Sequence, residues 1–80
     1  MTRDDLLSFL GDRLGVDLAA IDDQTSLFSG GVLDSFSLVD LILFLEGATG
    51  RRIPAADVRL DHFDSIARIL DFVAAEEPRP

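Results

Sequence analysis

The sequence predicts an all-α fold, a small four-helix bundle made of three main helices plus one short helix, with a long loop between helices one and two. Three observations point there. Apolar side chains recur at helical spacing in three separate stretches. Capping residues stand where those stretches begin, and glycines where two of them end. A length of 80 residues, 48% hydrophobic content and a net charge of -8 suit one compact domain and not an acidic disordered tail. A domain this small buries only about 60% of the surface its unfolded chain exposes, so a deep internal active-site cavity is not expected.

Thr2, with Asp5 three residues on, has the pattern of a capping box, and Leu6, Leu7, Leu10 and Leu14 recur at helical spacing. Helix one is therefore expected from about Arg3 to Leu14, with Gly15 as its stop. From Val16 to Asp34 no period is sustained. Loops of that length in a small domain are functional or packed by their own side chains, here Val16, Leu18, Ile21, Leu27 and Phe28. Helix two is expected from Ser35 to about Thr49, closed by Gly50. Ile53-Pro54 restarts the chain, and the segment to His62 is long enough only for a short helix or turn. Asp64 or Ser65 caps the last helix, whose stripe is Ile66, Ile69, Leu70 and Val73. Residues 1–76 are expected to form the domain and 77–80 a disordered tail. Met1 and the proline-stopped end lead to the expectation of a free-standing chain.

Helix two is apolar on more than one side. Leu38, Leu41, Ile42 and Leu45 cluster toward the expected core, while Phe36, Val39 and Leu43 form a second stripe nearly opposite, flanked by Asp40 and Glu46. A small bundle lacks the material to bury both, so part of the second stripe is expected to meet solvent as a docking face. The competing expectation is that the loop from Val16 to Leu33 folds over it.

Gly30 to Ser37 ends the long loop and delivers Ser35 to the start of this helix. The first helical turn carries unpartnered N–H groups and a partial positive charge, so an anion tethered to a hydroxyl there is electrostatically favoured. Asp34 followed by a helix also reads as a plain N-cap, and local pattern alone leaves both readings open.

Composition removes several functions. The 7 basic residues are all arginine and form no dense cluster, so a nucleic-acid partner is not expected. Excess acid suits encounters with basic protein surfaces, or only keeps a small domain in solution. With 0 cysteines there is no disulfide, thiolate metal site or thiol nucleophile. The N-terminus lacks the pattern of a secretory signal and the longest apolar run is Leu41 to Leu45, so a cytoplasmic protein without a membrane span is expected. The single histidine, His62, has no sequence feature that orders it with Ser35 and an aspartate into a catalytic triad. Asp22-Asp23 and the set Asp57, Asp61 and Asp64 lack the alternating spacing that wraps calcium, and no metal site is expected.

Taken together, Leu33-Asp34-Ser35 heading a helix, the preceding Leu27-Phe28 and Gly31, the following Leu38, Leu41 and Leu45, then Ile53-Pro54 and Phe63-Asp64-Ser65-Ile66 resemble one family. It is the acyl carrier proteins with their relatives, the peptidyl and D-alanyl carriers, and the resemblance spans nearly the whole chain. It implies that a phosphopantetheinyl transferase moves 4′-phosphopantetheine from coenzyme A onto Ser35, with Asp34 as its motif neighbour. An acyl or aminoacyl group then rides as a thioester on the arm's thiol, the sulfur this chain lacks. The resemblance implies transport and not catalysis: tethering raises the effective concentration of cargo at each partner enzyme. Phe36, Val39, Asp40 and Leu43 are the implied partner contacts, for the transferase, an acyl- or aminoacyl-loading enzyme and a downstream synthase or transferase. A monomer is expected.

The sequence departs from the fatty-acid type at Phe36, where leucine is usual, at Ser37, where an acid is common, and in having only Asp40 and Glu46 as acids along helix two. These departures look more like a discrete carrier of a specialised pathway, such as polyketide, nonribosomal-peptide or D-alanyl systems. Bulky Phe44 at the border of the core stripe is expected to fill space that a long acyl chain could enter, which points to short or polar cargo. The alternative is a non-catalytic helical protein-interaction module without a prosthetic group, which the same exposed stripe would serve.

Overall fold

The computed structural model describes residues 1–76 and contains four helices: α1 (Arg3–Asp12), α2 (Ser35–Thr49), α3 (Leu60–Phe63) and α4 (Ile66–Glu76). Single 3-10 turns at Leu18–Ala20 and Ala55–Asp57 interrupt the connections, and no strand occurs among the described residues. The all-α expectation is met. The expected tail, 77–80, lies outside the described residues.

α1 begins with the reciprocal bonds its sequence promised: Thr2 Oγ1 accepts the Asp5 N–H at 3.1 Å, and the Asp5 carboxylate accepts the Thr2 N–H at 2.9 Å. It ends at Asp12, two residues before the expected Leu14, because the chain turns early. The Val16 N–H reaches back to the Leu10 carbonyl at 2.9 Å around Gly15, whose φ is 69°. That closure satisfies a carbonyl the last turn would otherwise leave unpaired. α2 runs over the expected span and stops at Gly50, φ 70°. The short segment divides into the 3-10 turn and α3.

The core is drawn from every helix and from the loop. Leu6, Phe9 and Leu10 of α1, Leu41 and Leu45 of α2, Phe63 of α3, and Ile66, Ile69, Phe72 and Val73 of α4 are buried together with Val16, Leu27 and Leu33. Burying each large aliphatic side chain contributes roughly 1.5–3 kcal/mol before the entropy of ordering is set against it. Two aromatic contacts add shape: Phe9 stacks on Phe44 across α1 and α2 with centroids 4.2 Å apart, and Phe63 meets Phe72 edge-on at 5.1 Å. Of the loop residues expected to pack, Val16 and Leu27 are buried and Ile21 and Phe28 partly so, whereas Leu18 is exposed. Leu33 is the buried loop residue that the pattern missed.

Three side chains tie the connections down. Asp23 pairs with Arg3 of α1 and accepts the Ala67 N–H of α4 on its carbonyl at 3.0 Å. Glu46 accepts the Ile53 N–H at 2.7 Å, so it is turned to the chain after α2 and does not flank the exposed stripe as expected. The third is Asp64. Ser65, not Asp64, caps α4, its hydroxyl accepting the Arg68 N–H at 3.1 Å. No helix among the described residues is long and apolar enough to cross a membrane.

Candidate functional site

The loop that leads into α2 is closed on itself. Leu33 donates its N–H to the Leu27 carbonyl at 2.8 Å, and Gly31 donates to Phe28 at 3.2 Å. Two glycines make this possible for different reasons. A Cβ on Gly30 would stand 2.4 Å from the Ser26 carbonyl oxygen, and Gly31 has φ 81°, where L side chains are strained. The closed loop sets the direction in which the chain enters α2.

Asp34 then caps the helix. One carboxylate oxygen accepts the Ser37 N–H at 2.9 Å and the Ser37 hydroxyl at 3.1 Å, and the Asp34 carbonyl accepts the Leu38 N–H. These bonds, led by the Ser37 N–H, hold the Asp34 carboxyl below the usual carboxylate range. The two readings of the Asp34-Ser35 pair are therefore compatible. Asp34 takes the capping role, and Ser35, first residue of α2, is exposed with a hydroxyl that makes no hydrogen bond among the described residues. A free alcohol on the outside of a helix start is open to an enzyme that alkylates, acylates or phosphorylates it.

Beside Ser35 lies a recess of about 360 Å³ lined by Phe28, Leu33, Asp34, Ser35, Leu38 and Leu60. It is largely apolar. Loop, α2 and α3 each contribute to it.

Along α2 the second apolar stripe is uncovered. Phe36 is 82% exposed, Val39 57% and Leu43 61%, with Asp40 exposed among them. The loop from Val16 to Leu33 does not fold over these residues; it packs toward α4 and α1 through Leu27 and Asp23. Since Glu46 is engaged elsewhere, Asp40 is the one acid of α2 left on this side.

Two aromatic side chains lie outside the recess lining. Phe44 does not border the recess beside Ser35. It lines hollows between α1 and α2 with Phe9 and Arg13, so the space it fills lies there. His62 packs tilted against Phe72 with ring centroids 4.9 Å apart and lines a separate hollow with Asp57, Asp61, Arg68 and Asp71. Leu60 and Asp64 were missed as parts of the site. Their roles depend on contacts across about half of the chain, and no local pattern announces them.

The family model described as "Phosphopantetheine attachment site" matches residues 4–73. The chain is similar to D-alanyl carrier protein 1 of Lactiplantibacillus plantarum, 35% identical over 74 residues that cover 88% of this chain and 91% of that one. Similarity extends to the D-alanyl carrier protein of Enterococcus faecalis, 29% identical with 91% and 94% covered. It also includes the acyl carrier protein of Rubrobacter xylanophilus, 31% identical with 96% and 98% covered. No solved structure is a significant match.

Proposed function

Because this chain belongs to the phosphopantetheine-attachment family of non-catalytic carrier proteins, we propose that Ser35 is its attachment residue and that it carries a short acyl or aminoacyl group in a specialised biosynthetic pathway. Among its residues, the unbonded, exposed Ser35 hydroxyl beside a small apolar recess is the observation that carries this reading. These residues fit the group. A phosphodiester needs an alcohol reachable from outside and room for a slender chain alongside, and both are present.

When attached, 4′-phosphopantetheine supplies a terminal thiol on which cargo is held as a thioester. The chain's own residues orient and present. Asp34 fixes the first turn of α2 and so the direction of the Ser35 Cβ. Phe28, Leu33, Leu38 and Leu60 offer a dry surface for the stem of the arm. Phe36, Val39, Asp40 and Leu43 form the face on which the phosphopantetheinyl transferase, the loading enzyme and the receiving enzyme dock in turn.

Small cargo is supported by two things. The recess beside Ser35 is small, about 360 Å³, and two of the relatives named above are called D-alanyl carriers. Aminoacyl loading by an adenylating enzyme is the pathway type these favour, with polyketide or peptide assembly as its neighbours. The bare interaction module does not account for the family match.

Incubation with coenzyme A, magnesium and a broad-specificity phosphopantetheinyl transferase tests the assignment. The peptide containing Ser35 gains the mass of one phosphopantetheinyl group, and Ser35→Ala gains none. An unmodified wild-type chain, or modification that persists in Ser35→Ala, overturns it.

A further inference from the structure

The aspartate after α3 holds a piece of chain far from it in sequence. One Asp64 carboxylate oxygen accepts the N–H groups of Phe28 at 2.8 Å and Ser29 at 2.9 Å, and the other accepts the Ser29 hydroxyl at 2.6 Å. Its backbone carbonyl accepts the Leu27 N–H at 2.6 Å. Three consecutive residues are thus fixed by one.

We propose that Asp64 is a positioning residue for modification of Ser35, pinning residues 27–29 so that the closed loop presents the Ser35 hydroxyl and the Phe28 wall of the recess in one arrangement. The inference rests on the assignment of Ser35 made above and adds a residue to it.

The path is short. The Asp64 carboxylate holds Phe28 and Ser29, while its backbone carbonyl, which side-chain substitution leaves in place, holds Leu27; Leu27 holds Leu33 through its carbonyl, and Leu33 directly precedes Asp34-Ser35. Between them runs a glycine-containing turn whose internal bond, Gly31 to Phe28, also starts from a pinned residue. A carboxylate is suited to this task because it is all acceptor and offers two oxygens, enough for three donors at once. Capping of α4 does not explain the residue, since Ser65 does that. Arg68 lies near enough to favour the ionised form, and the Ser29 hydroxyl bond, the largest influence, does so more strongly.

The docking face on α2 sits on helical residues 36–43, whereas Ser35 is the first helical residue, where the closed loop joins the helix. Loosening the clamp therefore leaves the encounter with the transferase and disturbs the hydroxyl's placement in it. The test is steady-state modification kinetics of the full chain with coenzyme A and the transferase, paired with amide hydrogen exchange. For Asp64→Ala, kcat for transfer falls about tenfold or more, as misplacement of a reacting group does, while KM stays within about twofold. The amides of Phe28 and Ser29 exchange faster, and those of Leu10 and Ile69 stay protected. Asp64→Asn, which keeps one acceptor oxygen for the two N–H groups, recovers most of the rate. Ser29→Ala removes a single bond at an exposed residue and gives a smaller loss in the same parameter, which decides the matter if Asp64→Ala fails to fold.

Wild-type kcat in these variants with Phe28 and Ser29 amides already exchanging freely overturns the proposal. So does a loss that tracks the unfolded fraction seen by circular dichroism, because that marks a general structural role. If the wild-type chain itself is not modified at Ser35, the attachment assignment falls and the present inference with it.

Discussion

Asp34 and Asp64 both stand beside a helix start, and they act on different parts of the molecule. Asp34 bonds three residues ahead, within its own helix, while Asp64 bonds 35 and 36 residues back. The first arrangement is local and was legible in the sequence, as was Ser35 heading the helix. The second was not, because a capping pattern in sequence cannot distinguish a side chain that turns toward its own helix from one that turns toward a distant loop. Ser65 does the capping instead, and Ser65→Ala is expected to cost about 1 kcal/mol in urea denaturation without changing Ser35 modification. Gly30→Ala is expected to be worse for the site than for the core. The added methyl drives into the Ser26 carbonyl and forces the turn open, so modification slows and the Phe28 amide loses exchange protection.

At the scale of elements, α2 carries two apolar faces with opposite fates. Leu41 and Leu45 are fully packed, and Leu41→Ala is expected to lower stability by about 2–5 kcal/mol in chemical denaturation. Leu43→Ala and Val39→Ala are expected to stay within about 0.5 kcal/mol of wild type, since these side chains lie largely in solvent. Both should weaken binding to the transferase, seen as a rise in KM. With Asp40 the one acid of α2 left on that face, the same KM should change less with added salt than the charge of -8 over the whole chain suggests. The division between faces was readable from helical angle and from how little material an 80-residue chain has to cover a helix twice. The diversion of Glu46 was not, because its partner, the Ile53 N–H, is freed only once Gly50 has ended the helix.

At the scale of the whole molecule, four carboxylates among the described residues are held below their ordinary range by hydrogen bonds: Asp5 by Thr2, Asp23 by Arg3, Asp34 by Ser37 and Asp64 by Ser29. A depressed folded-state pKa means that the stabilisation is complete above the unfolded value and is lost as pH falls through the folded one. Stability from urea melts should therefore be flat near neutrality and decline on the acid side of the ordinary carboxylate range. Replacing Asp34 or Asp64 with asparagine should make that decline shallower. Two of these carboxylates also show why the long loop is ordered without regular structure. Asp23 and Asp64 hold it at two places, and Leu27 and Leu33 bury their side chains in the core.

The stacked pair Phe9 and Phe44 has a practical consequence. The chain has 0 tryptophan and 0 tyrosine and only 6 phenylalanines, so it is nearly transparent where proteins are usually quantified by absorbance. Two parallel rings at van der Waals distance in a fixed asymmetric setting give sharp near-ultraviolet dichroic bands. Together with the edge-on pair of Phe63 and Phe72, those bands supply an intrinsic optical signal for the packing of the helices, undisturbed by indole or phenol, against which any absorbing cargo analogue can be read separately.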